Sequence, residues 1–355
     1  MGIDSLNPAF APYETVTTGD WGTKASPAVG DLYGQVFESE ILTRFVEYLQ
    51  FAPKVRSKTI ATGTKAKFPA TWKLDTTIHD RGEELFGQDI ATREYEINLE
   101  GRPVVSTYET DDIEQDLSYY DVRSELAAET GRALAKQWDI KTMYWLIQAA
   151  QYANPTGAGS ALFPVGQSST NAATGTAGEA GAVATLDAIE AQVVYWENNF
   201  VPHENRYCAV TPAMWYALKN LGMPASAGEA GTHRPLFGSH QDGLAGGPGQ
   251  MGNEGPDTYI MHNGVAIFRT PWLADTTTIM ADRSADTSID PLYKKDYSNV
   301  STVMFQEQAV GTVMHTGIKT EIDRDVRRQT DFTVSKMYTG GGILRPVCAA
   351  IVKTA

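Results

Sequence analysis

Several groups of residues have types and spacings that could do chemistry, and each lacks something that chemistry requires. Gly247-Pro248-Gly249-Gln250-Met251-Gly252 matches the G-x-G-x-x-G fingerprint of dinucleotide binding. That fingerprint works only as a turn between a strand and a helix whose N-terminus meets the pyrophosphate, and neither element is expected here. His203 and Cys208, five residues apart, could pair as base and nucleophile, but no third residue nearby would orient them. The six histidines, His79, His203, His233, His240, His262 and His315, include no i,i+4 pair and no acidic partners at metal-ligand spacing. Asp323-Arg324-Asp325 with Arg327 and Arg328 has acids and bases side by side, a pattern typical of a solvated or inter-subunit salt-bridged face. Gly340-Gly341-Gly342 precedes an apolar strand, whereas a phosphate loop opens a helix. The expected inventory is therefore no catalytic residue, no cofactor and no metal.

The elements that would have to position such residues point elsewhere. Residues 57–108 read as a long two-stranded arm with too few apolar side chains for a core of its own. Ile60, Ala66, Phe68 and Trp72 recur with a period of two on the way out, and Tyr95, Ile97 and Leu99 alternate with Glu94, Glu96, Asn98 and Glu100 on the return. The tip, residues 75–91, is charged and carries Arg81, Glu83, Glu84 and Phe86. An arm of this kind is expected to rest on another copy of the chain.

Around the arm, Val36, Phe37, Ile41, Leu42, Phe45, Val46 and Leu49 give an amphipathic helix over residues 33–49. Ser118 with Asp121 resembles a capping box, and it opens a helical pattern running to Ala150. Some thirty residues span roughly 45 Å, enough for a spine. Residues 154–181 read as a linker or exposed loop. Thr185 is expected to cap a helix through Ile189, Val193 and Trp196, and Thr211-Pro212 to open another. Residues 207–210 and 264–270 read as strands, and alternation from Val303 onward predicts more. Ten glycines among residues 222–258 suit a long loop, and residues 1–28 an extended arm.

Composition excludes further classes. At 355 residues the chain exceeds what a single core normally holds. No run approaches the roughly 20 apolar residues of a membrane helix, and the N-terminus lacks a signal-peptide pattern. The two cysteines, Cys208 and Cys348, sit in apolar stretches as buried free thiols. A formal charge of -14 argues against a surface that grips phosphates.

Five segments, in order and spacing, resemble the major capsid protein of short-tailed coliphages and their cyanophage relatives. They are Glu40-Ile41-Leu42-Thr43 with Phe68-Pro69, Tyr120-Asp121-Val122-Arg123-Ser124-Glu125, Asn199-Phe200-Val201-Pro202 with Arg206-Tyr207, Ala309-Val310-Gly311-Thr312-Val313, and Gly341-Gly342-Ile343-Leu344-Arg345-Pro346. The resemblance implies an α+β chain with the tailed-phage capsid fold. Its parts would be an N-terminal arm (1–51), an extended hairpin loop (52–108), a peripheral domain with the spine helix (109–181 and 297–355) and an axial domain (182–296). It also implies a structural protein that forms pentamers and hexamers of an icosahedral head enclosing double-stranded DNA, without sequence-specific DNA binding and without a membrane. Scaffolding, portal and cement or decoration proteins would be its partners, and assembly would occur in the host cytoplasm. Arg81, Glu83, Glu84, Phe86, Arg324, Arg327, Arg328 and Arg345 are the expected inter-subunit residues. An encapsulin-like protein-cargo shell or another virion protein of the tail or decoration kind is the alternative. The 222–258 loop is longer than the coliphage pattern, and Arg102-Pro103 replaces its usual apolar pair.

Overall fold

The computed structural model describes residues 29–71, 82, 92–111, 122–152, 166–170, 179–220, 259–285, 291–325 and 327–354. The arm 1–28, the tip residues Arg81, Glu83, Glu84 and Phe86, the Ser118–Asp121 capping box, and the glycine loop with its G-x-G-x-x-G match lie outside them. The chain divides into two compact units. One takes Met1–Tyr48, Pro103–Ala135 and Gly317–Met337; the other takes Leu49–Arg102, Lys136–Thr316 and Tyr338–Ala355.

The first unit holds helix α1 (Val29–Tyr48) and an antiparallel three-stranded sheet. Its strands are β4 (Val104–Asp111), β11 (Lys319–Asp325) and β12 (Thr330–Met337), with β12 central. Helix α2 (Val122–Ala150) contributes its residues up to Ala135. α1 buries Ile41 and Phe45, and it meets α2 at Gly131, where a Cβ would lie 2.9 Å from the Ile41 carbonyl oxygen. The missing side chain is what allows two helix backbones to come that close.

The second unit is built on a six-stranded sheet in the order β5-β14-β9-β6-β8-β7. These strands are β5 (Gln167–Thr170), β6 (Arg206–Val210), β7 (Ile260–His262), β8 (Val265–Arg269), β9 (Val300–Gln306) and β14 (Ala349–Lys353). The sheet thus takes strands from both sides of residue 296. Every residue of β9 is buried, because as an inner strand it is covered on both faces. Helices α3 (Glu179–Asn198) and α4 (Pro212–Asn220) and the C-terminal half of α2 supply the rest of the core, with Trp196, Tyr144, Tyr297, Phe51 and Phe305 fully buried. The remaining strands of this unit are β1 (Arg56–Ile60), β2 (Lys65–Thr71), β3 (Thr92–Asn98), β10 (Val310–His315) and β13 (Thr339–Ile343).

Some expectations from sequence need correction. α3 begins before Thr185, which sits inside the helix and donates its hydroxyl to the Gly181 carbonyl at 2.8 Å. A helical threonine can satisfy itself four residues back, so its presence does not mark a start. Thr211 does cap α4, accepting from the Met214 N–H at 3.3 Å. The linker 154–181 contains β5, an edge strand of polar residues whose parallel pairing with β14 rests on backbone bonds. β7 and β8 are joined at Asn263-Gly264, both with positive φ, an Asn-Gly hairpin turn that the sequence displays openly.

The largest correction concerns the arm. Among the described residues of the arm, only β2 and β3 pair with each other; β1 instead runs parallel to β10, and β4 joins β12 in the other unit. The core missing from the hairpin's own sequence is nearby in the same chain. Ala66, Phe68 and Ile97 pack with Val313 of β10 and with Leu344.

Candidate assembly surfaces

The stem of the hairpin has two unlike faces. One carries Ala66, Phe68 and Ile97, seated on β10 and β13. The seat is made of glycine: a Cβ on Gly311 would come within 2.8 Å of Ile97 Cδ1, one on Gly340 would press on the Asn98 carbonyl oxygen, and one on Gly341 would lie 2.5 Å from the Trp145 indole nitrogen. The triplet at 340–342 is therefore a flat strand surface that lets β3 and the α2 tryptophan approach its backbone. The opposite face is a ladder of exposed charge. Lys67 pairs with Glu94 at 2.6 Å and Lys65 with Glu96 at 3.1 Å, each about half exposed. Pairs this exposed contribute little to the fold, because water screens them.

One turn of α2 holds the chain entering β1 and the chain leaving β3. On the way in, Asp139, fully buried, accepts hydrogen bonds from the backbone N–H groups of Gln50 (2.7 Å), Phe51 (3.0 Å) and Ala52 (3.3 Å). Burial pushes its carboxyl up to about 6, against the downward pull of those three N–H donors and of Lys54. On the way out, Lys141 donates to the Glu100 carboxylate, and both side chains are largely buried. The Glu100 N–H also donates to the Thr339 carbonyl at 3.0 Å. Lys141→Met is expected to destabilise the subunit by about 2–4 kcal/mol in chemical unfolding, because it strands a largely buried carboxylate. The swap Lys141→Glu with Glu100→Lys should recover most of that loss in a double-mutant cycle.

Of the arginines singled out from sequence, the structure brings three together. Arg324, Arg327 and Arg328 stand exposed at the β11–β12 turn, where Asp325 accepts from the Arg327 N–H at 2.9 Å and lies 3.8 Å from the Arg328 guanidinium. Arg345 belongs to the other compact unit and donates to Gln308 at 2.9 Å within the chain. Cys208 is fully buried while the His203 side chain is 76% exposed, so they do not form a nucleophile–base pair. Burial raises both thiols, Cys348 to about 11, which keeps them protonated near neutrality. No group of three or more potential ligands that could hold a metal, and no helix long and apolar enough to cross a membrane, occurs among the described residues. Sequence reasoning missed Asp139, Lys141 and Glu100. Two charges at i and i+2 within an apolar helical pattern were the available signal.

The sequence profile of the Gp10A-like family, described as major capsid protein, matches residues 67–353. The chain belongs to the Gp10A-like major capsid protein family. The major capsid protein of Enterobacteria phage T3 is 27% identical over 331 residues, covering 90% of this chain and 91% of that protein. That of Escherichia phage T7 is 25% identical over 340 residues, covering 93% and 94%. Among solved structures, the capsid of Cyanophage P-SCSP1u superposes with a TM-score of 0.61 at 26% identity, over 85% of this chain and 86% of that one. The mature capsid of bacteriophage PhiM1 gives the same TM-score at 15% identity, over 86% of each, a likeness of fold alone. The α+β class and the tailed-phage capsid fold expected from sequence are what the chain has. A Gp10A-like major capsid protein is a structural component of the phage shell and not an enzyme.

Proposed function

We propose that copies of this chain close into pentamers and hexamers of an icosahedral head around double-stranded DNA, assembling in the host cytoplasm with scaffolding and portal proteins and accepting a cement protein. Heterologous contacts that close generate rings, and a shell requires each subunit to grip several neighbours through separate surfaces. The observation that carries this reading is the rooted hairpin. Its stem is seated on its own subunit and held through Glu100 where the chain leaves β3, while its charged ladder is exposed. A neighbour meeting that ladder would desolvate ion pairs that contribute little to the isolated fold, and the contact gains specificity from their pattern.

In this reading residues 52–108 are the extended loop, 1–51 the N-terminal arm, 109–181 with 297–355 the peripheral domain and 182–296 the axial domain. Arg81, Glu83, Glu84 and Phe86 at the tip and Arg324, Arg327 and Arg328 at the β11–β12 turn contact neighbours, as does Arg345 beside its internal bond to Gln308. The charge of -14 fits a lumen along which packaged DNA slides without sticking. Replacing residues 75–91 by a short turn should leave a folded subunit, melting within about 2 °C of the parent, that builds no closed shells by electron microscopy. Normal particles from that variant would remove the hairpin from the assembly mechanism.

A further inference from the structure

We infer that the second unit carries a binding cleft for a small oxyanion of the phosphate class, at Lys295 and Lys353. The cleft has a volume of about 420 Å³ and is lined by Gln151, Ser168, Lys295, Asp296 and Lys353. Gln151 lies just past the end of α2, Ser168 in β5, Lys295 and Asp296 in the segment that leads to β9, and Lys353 at the end of β14. Two ammonium groups against one carboxylate leave the cleft net positive, on a chain whose formal charge is -14. A positive cleft on an acidic protein selects anions.

Lys295 is positioned by a buried network. The Tyr297 hydroxyl donates to the Leu292 carbonyl, so it accepts from the Gln148 amide N–H at 2.7 Å, and this leaves the Gln148 carbonyl oxygen to accept from Lys295 at 3.0 Å. Gln148 and Tyr297 are both buried, and the Tyr297 ring stacks on Tyr144 with centroids 4.2 Å apart. A neutral amide takes up one of the three ammonium donors and leaves the charge uncompensated. Burial accordingly holds Lys295 below the ordinary lysine value. Lys353 lies 3.9 Å from one Asp296 oxygen, too far for a hydrogen bond, and the other oxygen accepts from the Ser298 N–H at 2.8 Å and its hydroxyl at 2.5 Å. The lysines are not caps for α2, whose Ile147 and Ala149 carbonyls accept from the Gln151 and Tyr152 N–H groups at 3.0 and 3.3 Å. The Ser168 hydroxyl and the Gln151 side-chain amide have no hydrogen-bond partner among the described residues. Two ammoniums, a hydroxyl and an amide thus line one cleft as donors, and an oxyanion supplies charged acceptors in several directions. A bound anion would tie β5, an edge strand paired with β14, to the end of α2 and to Lys295.

Inorganic phosphate is the probe, titrated into the full chain by calorimetry at constant ionic strength set with sodium chloride. A saturable isotherm with a dissociation constant on the order of 1 mM is expected. Lys295→Met should weaken it at least tenfold. Lys353→Met, which leaves the Gln148 network intact, should do the same, and its melting temperature without phosphate should stay within about 2 °C of the parent's. Lys319→Met removes an exposed lysine of the other compact unit and should leave the affinity unchanged. Phosphate at ten times its dissociation constant raises the folding constant about elevenfold, so hydrogen exchange in β5 should slow in the parent and not in Lys353→Met. Absence of saturable binding below about 50 mM phosphate would overturn the proposal, as would equal affinity in the parent and Lys353→Met. An equal loss in Lys319→Met would also reject it, because binding would then follow overall charge and not this cleft.

Discussion

Asp139→Ala should destabilise the subunit by about 3–5 kcal/mol, enough to remove most of the stability of an ordinary domain. The side chain is fully buried, and its two oxygens accept three backbone N–H groups at residues 50–52. Without them the chain entering β1 loses its acceptors and a small cavity opens against Phe51, a fully buried residue of the main core. Unfolding monitored by circular dichroism in denaturant is the direct measure. Asp139→Asn is a milder variant, since its amide keeps one acceptor but turns a second donor towards the Gln50 N–H.

The same residue predicts a pH dependence with a definite sign. Its folded value of about 6 lies above the ordinary aspartate value of 3.8, so the folded state holds the proton more tightly than the unfolded one. The associated stability is fully present below about pH 4 and is lost as pH rises through about 6, a change on the order of 3 kcal/mol. The difference in stability between parent and Asp139→Asn should therefore change across that window and level off above it. A difference that stays constant from pH 4 to pH 7 would show that the carboxyl is not displaced from its usual range.

Gly340→Ala is the second large effect. The position lies in β13, where a Cβ would press on the backbone carbonyl of Asn98, and backbone cannot swing aside as a flexible side chain can. Overpacking of this kind costs roughly 1–3 kcal/mol or more, and here it is concentrated at the seat of β3. The expected result is a subunit that retains the six-stranded sheet, with raised hydrogen exchange in β2 and β3 and a loss of closed shells. Gly317→Ala is an informative control, because that glycine has positive φ but nothing within 4 Å of a Cβ. Equal hydrogen exchange in the Gly340→Ala hairpin and the parent's would show that the stem does not depend on a close approach.

How far the sequence reads can be traced residue by residue. The long helix was legible because apolar residues recur at helical spacing from Val122 to Ile147, and the Thr211-Pro212 start of α4 because its cap and first-turn proline are local chemistry. β5 was not, since Gln167–Thr170 is a polar edge strand held by backbone hydrogen bonds to β14, which lies some 180 residues away. Thr185 misled because one hydroxyl can cap a helix or bond back within one. Arg345, expected with Arg324, Arg327 and Arg328 to be an inter-subunit residue, lies in a different compact unit from them, and its bond to Gln308 was not legible because that partner is 37 residues away in sequence.

The α+β class was legible through the resemblance to a capsid family; what the residues by themselves determined was an acidic balance, a long helix and a hairpin too poor in apolar residues to stand alone. Those properties follow from composition and short-range periodicity. Only the tertiary structure decided what completes the hairpin. Its apolar face is covered by Val313 and Leu344, its approach depends on the absent side chains of Gly311 and Gly340, and Asp139 and Lys141 hold the chain entering β1 and the chain leaving β3. These partners are scattered through the chain, and which distant residues meet is set by packing and burial of the whole subunit, not by any local pattern.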